Sequence, residues 1–458
     1  MPNATRWTQF SSKTPVAGVL AGICLVFTGC AETAPVVSSD ETLTLETIFR
    51  EAGGAGRVSI SSDGRSIAVS GTGAEGPGIY LVSADAAEDA RLLAPGGSQV
   101  WSPDGTQIAF TRGGGLHVLR PDEATERTLT EGLAAIRAPT WSPDGSTLAF
   151  YSTESGFQDI WVVPSDGSAA PRQLTTEAAE ADDSRFSPQW SPDGRWIAYI
   201  SNQSDWWHDD VWLVEVATGE RHQISTTLMA SSSPIWSPDG SSLVLMGTAK
   251  DEYWYEDLAY LYRLDVDVIA SAPRVVGEAP IEMQVYASDF IMRFDPFWSA
   301  EGDWIYFPYH ERGAFDLWAV PAAGGVATRV TNVGGSWGSL DGSEDGSRAV
   351  FTRDAPTEGR EAWVVDLAGG PPRRLTNFAP EMPHIQKPTE VSFRTFDGLY
   401  LQGFLYLPPA LRTALGSREG ESGPPPGLST LPPAGLQSCP ALVQVHGGGT
   451  NSYTQGTN

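Results

Sequence analysis

A histidine followed by three glycines is the segment of this sequence whose residue types best suit acyl-transfer chemistry. The four residues are His446, Gly447, Gly448 and Gly449. They come directly after a short apolar run, 441–445, which predicts a buried strand. Glycines allow the backbone to approach a substrate carbonyl closely, and backbone N–H groups in such a turn can stabilise the oxyanion of a tetrahedral intermediate. The pattern therefore predicts an oxyanion-binding turn.

Other interpretations of this glycine run remain open at the level of sequence. A plain turn that closes a strand has the same composition. A phosphate-binding loop is disfavoured, because no Lys follows the glycines. If the turn does bind an oxyanion, Asn451 and Tyr453 are placed, by position alone, to add side-chain donors.

A nucleophilic serine for this chemistry is harder to find. The pattern Gly-x-Ser-x-Gly, which can mark a nucleophile at a strand-to-helix turn, occurs from Gly334 to Gly338. A predicted strand precedes it, a predicted turn follows it, and no helix signal is present, so we interpret it as a loop between strands. No histidine can be paired with Ser336 from the sequence. We therefore expect no catalytic triad within this chain, and we expect the chain alone to be inactive.

Two other segments combine aromatic and acidic side chains in a way that suits contact with a ligand. Their candidate residues are Asp205, Trp206, Trp207, His208, Asp209, Trp254 and Glu256. Carboxylates in such loops could hold the amino terminus of a peptide, since loops on a rigid scaffold often carry binding residues. The other interpretation is that the aromatics only pack against the edge of the fold. One histidine among carboxylates is weak evidence for a metal, so no metal site and no cofactor are predicted.

A repeated unit organises most of the chain. It consists of an aromatic residue, then Ser-Pro-Asp-Gly, a few polar residues and a short apolar strand. Seven copies occur, degenerate ones included, with acidic residues at 63, 104, 144, 193, 239, 301 and 345. The intervals between these positions are 41, 40, 49, 46, 62 and 44 residues. Pro, Asp and Gly suit successive corners of a type I turn, so we interpret the repeat residues as scaffold.

A period in the forties with several short strands per unit is typical of a β-propeller. Third strands are predicted at Asp159–Val163, Asp210–Val214, Asp316–Val320 and Glu361–Val365, and fourth strands at Arg172–Thr175, Thr328–Thr331 and Arg373–Thr376. The predicted fold class is therefore mainly β, with a seven-bladed β-propeller over residues 46–385. The long interval after Asp239 predicts an insertion in the fifth or sixth blade.

After Thr376 the repeat ends and the pattern changes. Alternating residues on both sides of Asp397 and Gly398 predict a β-hairpin. A stretch rich in Pro and Gly, 416–438, predicts an exposed loop before the apolar run at 441–445.

This order of elements resembles the prolyl oligopeptidase family of serine peptidases, in its branch of bacterial dipeptidyl and acylaminoacyl peptidases. The residues that carry the resemblance are the Trp-Ser-Pro-Asp-Gly repeats, Phe393 to Gly403 and Val443 to Gly449. The resemblance implies that 386–458 is the first part of an incomplete α/β-hydrolase domain, whose nucleophile, Asp and His would lie beyond Asn458. It also implies a propeller that covers the active site and admits peptide substrates by size.

The propeller repeats taken alone resemble the TolB-type propeller equally well. That resemblance implies a periplasmic lipoprotein whose propeller is a protein-binding module without enzyme activity. The two interpretations differ in what the last seventy residues do.

The first 30 residues have the pattern of an export signal. Arg6 and Lys13 precede a mostly apolar segment, Pro15 to Phe27, which is too short to span a bilayer. The segment leads to Cys30 in a sequence that resembles a bacterial lipobox, which predicts a signal peptide at 1–29, lipidation of Cys30 and a linker at 30–45. A signal peptide without a lipid is the alternative. We expect an exported protein anchored to a membrane, periplasmic or at the cell surface, and Ala31 favours the outer membrane.

Charge and cysteine content limit the kinds of binding partner and cross-link that the chain can have. The chain has 29 basic and 56 acidic residues, a formal net charge of −27, which disfavours binding to nucleic acid. If Cys30 is lipidated, Cys439 has no cysteine in the exported chain with which to form a disulfide. The expected partners are a peptide substrate, if the peptidase domain is completed, and a membrane. The sequence carries no signal for an oligomeric state.

Overall fold

The computed structural model describes residues 53–85, 90–176, 183–204, 208–225, 227–230, 232–249, 259–268, 274–285, 295–311, 313–379, 387–394, 398 and 400–405. All of these residues belong to one compact unit. They form seven antiparallel sheets, which are successive blades, and one separate two-stranded sheet, and no helix occurs among them. The predicted mainly β fold and the seven-bladed propeller are therefore confirmed.

The strands of each blade pair in chain order. The first blade contains β1 (Ala55–Ile60), β2 (Ser66–Gly73), β3 (Gly76–Ser83) and β4 (Arg91–Ala94). The second contains β5 (Gly97–Trp101), β6 (Ile108–Arg112), β7 (Gly115–Arg120) and β8 (Thr125–Thr130). The third contains β9 (Arg137–Trp141), β10 (Thr147–Ser152), β11 (Asp159–Pro164) and β12 (Arg172–Gln173). The fourth contains β13 (Arg185–Trp190), β14 (Trp196–Ser201), β15 (Asp210–Glu215) and β16 (Arg221–Gln223).

The remaining blades follow the same plan, with one first strand interrupted. The fifth contains β17 (Leu228–Ala230) and β18 (Ile235–Trp236), which both pair with β19 (Ser242–Ala249), then β20 (Ala259–Asp267) and β21 (Arg274–Val285). The sixth contains β22 (Phe297–Trp298), β23 (Trp304–Glu311), β24 (Ala314–Pro321) and β25 (Thr328–Arg329). The seventh contains β26 (Ser336–Gly342), β27 (Arg348–Ala355), β28 (Glu358–Asp366) and β29 (Arg373–Arg374). The extra length predicted for the fifth or sixth blade lies in the fifth, where β20 has 9 and β21 has 12 residues.

A separate hairpin follows the propeller. It consists of β30 (Thr389–Arg394) and β31 (Tyr400–Leu405), which pair antiparallel with Thr389 opposite Leu405. The hairpin predicted in this part of the sequence is thus confirmed. The Pro- and Gly-rich stretch and the strand predicted at 441–445 lie outside the described residues, and the α/β-hydrolase domain stays a prediction.

One hydrogen-bond pattern builds the turn between the first and second strands of a blade. In the third blade the Ser142 hydroxyl donates to the Asp144 carboxylate over 2.6 Å, and the Ser146 N–H donates to the same carboxylate over 3.0 Å. The Ser142 oxygen in turn accepts the Thr147 N–H over 3.0 Å. The same Ser–Asp contact occurs at Ser61–Asp63, Ser102–Asp104, Ser191–Asp193, Ser237–Asp239 and Ser343–Asp345. Because these carboxylates bond their own turns, the repeat aspartates are scaffold, as predicted.

In five of the seven repeats, a tryptophan before the turn joins one blade to the preceding blade. The Trp141 indole N–H donates to the Val100 carbonyl over 3.2 Å. Val100 lies in the first strand of the second blade, and that strand has a partner on one edge only. Its outward carbonyls therefore need hydrogen-bond donors from elsewhere. The same contact occurs at Trp101–Ser59, Trp190–Thr140, Trp236–Gln189 and Trp298–Ile235.

The apolar core lies between neighbouring blades. Phe110 of β6 is fully buried in a cluster that also contains Ile79 and Ala94 of the first blade. Phe150 of β10 packs likewise in a cluster with Leu116 of the second blade. Burial of one such side chain contributes about 1.5–3 kcal/mol. The alternation that suggested strands therefore reflects side chains that pack against both adjacent sheets.

The fourth strands are shorter than predicted, because a side chain replaces part of the ladder. In the third blade the Thr175 hydroxyl accepts the Ile160 N–H over 2.9 Å and donates to the Asp159 carboxylate over 2.8 Å. The strand β12 consequently ends at Gln173. Equivalent acid–hydroxyl contacts occur at Asp210–Ser225, Asp316–Thr331 and Glu361–Thr376.

The last blade closes against the first without sharing a strand. The Ser339 hydroxyl accepts the Val58 N–H over 3.2 Å, and the Asp341 carboxylate accepts the Ile60 N–H over 3.0 Å. Arg348 donates to the Gly64 carbonyl over 2.9 Å and pairs with carboxylates on both sides of this boundary. We call Val58, Ile60, Ser339, Asp341 and Arg348 the closing seam. Behind it, Val58 and Ile60 pack with apolar residues of the seventh blade.

At the boundary between the sixth and seventh blades, no tryptophan of the seventh blade makes the contact described above. Here Gly342 stands where five other repeats have Trp, and a Cβ at this position would lie 2.3 Å from the Phe297 ring. Phe297 itself stacks on Tyr306, with ring centroids 5.0 Å apart. The missing side chain at 342 is therefore what makes room for the aromatic pair of the sixth blade.

We expect Gly342→Ala to lower the free energy of unfolding by about 1–3 kcal/mol, because Phe297 must leave its stacked position. Gly97→Ala is the matched control, since Gly97 also lies in a first strand and a Cβ there meets nothing within 4 Å. Its effect should stay within about 0.5 kcal/mol. Urea unfolding of both variants measures the difference, and equal effects would contradict the assigned role of Gly342.

A second prediction concerns the turn carboxylates. Hydrogen bonds from Ser142 and Ser146 hold the pKa of Asp144 below its usual value. A depressed folded-state pKa stabilises the fold above the unfolded pKa of about 3.9, and this stabilisation is lost as the pH falls through the folded value.

Asp144→Asn should therefore lower Tm at pH 7, by an amount that corresponds to about 1 kcal/mol. The gap to the unsubstituted protein should narrow as the pH falls below about 4. Thermal unfolding followed by circular dichroism between pH 2.5 and 7 tests this, with Glu131→Gln, an exposed glutamate outside the turns, as the control. A gap that widens in acid would be inconsistent with the assignment.

Candidate functional site

The strand order places the connections of every blade at two opposite ends of the propeller. The Ser-Pro-Asp-Gly turns lie at one end. The start of each first strand, the link between second and third strands and the finish of each fourth strand lie at the other, because neighbouring strands are antiparallel. We call this other end the loop end. The strands that flank the two aromatic and acidic segments, 202–209 and 250–258, have their connected ends at the loop end, and β29 also finishes there.

The structure describes two of the predicted contact residues. His208 and Asp209 are partly buried just before β15, and the Asp209 carbonyl accepts the N–H of Ala230 in the fifth blade over 2.8 Å. The other candidates of these loops, Asp205, Trp206, Trp207, Trp254 and Glu256, lie outside the described residues. So do His446, Gly447, Gly448, Gly449, Asn451, Tyr453 and Cys30.

A buried charged cluster lies at the loop end between the third and fourth blades. Arg185, the first residue of β13, donates to the Asp159 carboxylate over 2.7 Å, and the two side chains are 0% and 2% exposed. The Gln203 side-chain oxygen accepts bonds from Arg185 over 2.9 Å and from Arg221 over 3.2 Å. A second carboxylate, Asp183, lies 3.8 Å from Arg185. We call these five residues the Arg185 cluster.

The Arg185 cluster fixes the start of the segment 202–209. Gln203 belongs to that segment, and the neighbouring Asn202 accepts the Ser184 N–H over 2.8 Å. The Ser204 hydroxyl donates to the carboxylate of Asp210, the first residue of β15. The described residues at both ends of the segment, Asn202 to Ser204 and Asp209, are thus bonded to the blades.

Tyr199 adds a buried polar group beside this cluster. It is fully buried, and burial raises the pKa of its hydroxyl, with the charges of Arg221 and Arg185 acting in the opposite direction. The hydroxyl has no hydrogen-bond partner among the described residues. The Tyr199 ring packs with Ile160 and Ile197 in the apolar cluster between the two blades.

The first strands of three consecutive blades share a backbone distortion. Ser98, Ala138 and Ser187 have φ values of 52°, 46° and 54°, each three residues before the tryptophan of its blade. Each lies where the pairing register of its strand shifts, which is a β-bulge. A left-handed conformation costs a non-glycine residue about 1–3 kcal/mol, so the surrounding sheet must hold it. The sequence gives no sign of this strain, because Ser and Ala are not residues typical of positive φ.

The sequence predicted a loop between strands at Ser336, and this is wrong, because Ser336 lies in the first strand of the seventh blade. It is the buried first residue of β26, and no helix follows it among the described residues. The next residue, Trp337, stacks on Phe351 with centroids 4.0 Å apart. The Gly-x-Ser-x-Gly match is therefore part of the propeller packing and lacks the form of a nucleophile turn.

Within the described ranges, no group of three or more His, Cys, Asp or Glu side chains is arranged to hold a metal ion. A helix long and apolar enough to cross a membrane is also not found in this part of the chain.

Comparison with known proteins agrees with this geometry. Residues 178–386 match the family model of the TolB β-propeller domain, PD40. No curated protein matches the chain. The fold defines a seven-bladed propeller protein, and the matched region is similar to the TolB-type propeller.

Solved structures with a similar fold include several peptidases. A puromycin hydrolase is 19% identical with a TM-score of 0.58, covering 78% of this chain and 59% of its own. A puromycin-hydrolyzing peptidase of Mycobacterium tuberculosis is 17% identical with a TM-score of 0.54, covering 78% and 58%. Prolyl oligopeptidase B of Galerina marginata is 11% identical with a TM-score of 0.54, covering 78% and 55%. At these identities the likeness concerns the fold alone, and the chain spans less than two thirds of the length of each structure.

We expect Arg185→Met to lower the free energy of unfolding by about 3–5 kcal/mol, because the substitution leaves the Asp159 carboxylate buried without its cation. Arg195→Met is the matched control. Arg195 pairs with Glu215 over 2.9 Å but is 50% exposed, so its loss should cost less than about 1 kcal/mol. Chemical denaturation of the two variants compares them. A loss for Arg185→Met as small as that of the control would refute the role of the Arg185 cluster.

Proposed function

We propose that this chain is the N-terminal, propeller-bearing part of an exported serine peptidase of the prolyl oligopeptidase type. The propeller serves as a gate that admits short peptides to the active site. The observation that carries the proposal is a closed seven-bladed ring followed in the chain by the hairpin β30–β31 and then by His446 to Gly449. This is the order of elements that the resemblance to that family implies. The fold likeness to a puromycin hydrolase, with a TM-score of 0.58, supports it.

The topology of the propeller gives the substrate path a direction. The last blade finishes at the loop end, so we expect the segment 386–458, which follows it in the chain, to leave the propeller there. The segment 202–209, held by the Arg185 cluster, begins and finishes at the same end. Its carboxylates, Asp205 and Asp209, have the charge needed to hold the protonated amino group of a peptide. In this proposal they bind the substrate close to the peptidase domain.

The chemistry of the proposed reaction assigns roles to the glycine run. A serine outside the described residues attacks the scissile carbonyl, while a histidine takes its proton and then passes it to the leaving amine. Backbone N–H groups around Gly447, Gly448 and Gly449 stabilise the resulting oxyanion, to which Asn451 and Tyr453 can add side-chain donors. In the same proposal, Cys30 carries the lipid that anchors the exported protein, with the propeller in the periplasm or at the cell surface.

The glycine run can be tested in the complete gene product with peptide nitroanilides as substrates. Gly448→Val should lower kcat about 10²–10³-fold with KM changed by less than about threefold, because the oxyanion forms only in the transition state. Gly423→Val, in the Pro- and Gly-rich stretch, is the control and should leave both constants unchanged. Absence of hydrolysis by the unsubstituted protein, or equal kinetics of the two variants, would overturn the proposed reaction.

A second candidate function is a TolB-like periplasmic binding module. The observation that favours it is the match of residues 178–386 to the TolB propeller domain. Limited proteolysis of the native protein separates the two candidates. Protection of 386–458 supports a folded peptidase domain, whereas rapid trimming to about residue 385 supports the binding module.

A further inference from the structure

The boundary between the seventh and first blades is the one that the chain itself does not cross. At each of the other six boundaries, the chain runs from the fourth strand of one blade directly into the first strand of the next. The closing seam holds this last boundary from the middle of β1 to the turn that follows it. At the loop end, residues 376–379 lie across the same boundary just after β29, and we call these four residues the strap.

The strap starts along the same path as the connection between the sixth and seventh blades. In the sixth blade, the Asp316 carboxylate accepts the N–H of Val333, which lies in that connection, over 2.8 Å. Glu361 has the matching position in the seventh blade, and its carboxylate accepts the N–H of Phe378 over 3.0 Å and that of Ala379 over 2.7 Å. Both carboxylates therefore direct the departing chain toward the next blade, which for the strap is the first blade of the ring.

Phe378 of the strap packs into a pocket on the first blade. Its ring lies against Tyr80 of β3, with ring centroids 4.8 Å apart. Gly71 and Gly73 of β2 form another wall, because a Cβ would lie 2.9 Å from the Phe378 ring at the first position and 3.0 Å from it at the second. Residues two apart share one face of a strand, so the two glycines leave free the space that the ring occupies. We call Gly71, Gly73 and Tyr80 the strap pocket.

The strap also packs on the apolar core that the two blades share. Phe378 and the preceding Leu375 lie against a cluster that contains Ala55 of β1 and Ala362 of β28. Both alanines are buried, and so is Ala379 at the end of the strap. The strap therefore contributes directly to the contact between the first and last blades at the loop end.

The strap can leave this position without disruption of a sheet. None of its four residues belongs to a strand, and Phe378 is only partly buried, whereas Phe110 and Phe150 at other boundaries are fully buried. Segments with few buried contacts are the ones whose local opening costs least free energy. At the turn end, by contrast, separation of the two blades has to break the backbone and carboxylate contacts of the closing seam.

We propose that the strap is a latch that closes the ring at its loop end. With Phe378 in the strap pocket, the first and last blades are held together at both ends of their boundary. When Phe378 leaves the pocket, the loop end of this boundary opens, while the closing seam keeps the turn end together. This inference concerns the propeller alone and does not depend on whether the chain belongs to a peptidase or to a binding module.

Thiol labelling of buried cysteines measures opening at each end of the boundary separately. Ala55→Cys reports on the loop end, where Ala55 begins β1, and Ala84→Cys reports on the turn end, where Ala84 follows β3. Both alanines are buried in the same apolar cluster. Addition of Phe378→Ala to the full chain should speed the labelling of residue 55 about tenfold or more, because local opening then costs less. Labelling of residue 84 should change by less than about twofold. Peptide mass spectrometry identifies the labelled residue, so the native cysteines do not interfere.

Equal labelling rates at residue 55 with and without Phe378→Ala would overturn the proposal. An equal acceleration at residues 55 and 84 would also overturn it, since that result indicates that the whole boundary has loosened. Phe157→Ala is the matched control. Phe157 is also a partly buried phenylalanine at the loop end, but it lies in the link between β10 and β11 within the third blade. This substitution should leave both labelling rates unchanged.

Gly73→Ala tests the strap pocket from its other wall. The added Cβ would press on the rings of Phe378 and Tyr80, so this substitution should also speed the labelling of residue 55. The acceleration should be smaller when Phe378 is already alanine, because the two substitutions then act on one contact. Full additivity of the two effects would contradict the latch. If Phe378→Ala does not fold, Phe378→Leu and Gly73→Ala replace it, and an unchanged labelling rate at residue 55 in both rejects the proposal.

Discussion

The first strand of a propeller blade has a partner on one edge only, and its free edge and both faces of its sheet must be covered by the neighbouring blades. This requirement governs the whole structure. The indole of Trp141 meets it at one boundary by donating to the Val100 carbonyl, and tryptophans meet it at four more boundaries. The turn next to the tryptophan holds the strand end in place, because Ser142 and Asp144 satisfy the local N–H groups. Apolar burial between sheets then completes each boundary.

The same requirement separates scaffold from chemistry. Six turn aspartates are bonded within their own turns, so these carboxylates are committed to structure. The loop end is different. There the links between second and third strands vary in length. One of them is bonded to the Arg185 cluster, because Gln203 accepts a hydrogen bond from Arg185, which forms a buried ion pair with Asp159. A rigid scaffold that carries variable loops at one end is the arrangement on which binding sites are commonly built. The proposed function assigns the substrate contacts and the segment 386–458 to that end.

Much of the fold could be predicted from the sequence, because the turn chemistry repeats. Four Ser-Pro-Asp-Gly turns and three degenerate copies, at intervals of 40 to 62 residues, predict seven blades. The third strands were also predicted, since apolar residues such as Val162 and Val163 are needed on both faces. The fourth strands are shorter than predicted. In the third blade the Thr175 side chain, in place of a backbone carbonyl, accepts the Ile160 N–H, and the periodicity of the sequence does not show which of the two groups makes this bond. The hairpin at 389–405 was predicted correctly, because the alternation of residues around its turn is a local feature of the sequence.

The site was predicted less well, because its parts come together only in three dimensions. Nothing in the local sequence of Arg185 shows that it is fully buried against Asp159, a residue of another blade. The departures from the repeat were the available signals. Asp341 and Gly342 stand where other repeats have uncharged and aromatic residues, and both turned out to mark unusual boundaries between blades. The interpretation of the glycine run at 447–449 as an oxyanion-binding turn rests on the sequence alone, so its role in catalysis is a proposal.

The most direct test of the peptidase proposal is to sequence the gene past the codon for Asn458. The account predicts that the reading frame continues into a strand, a Gly-x-Ser-x-Gly segment and a helix, followed by an acid and a histidine that complete a triad. A stop codon directly after Asn458 would contradict the proposed reaction. The propeller would then be best explained as a module that binds a partner through its loop end.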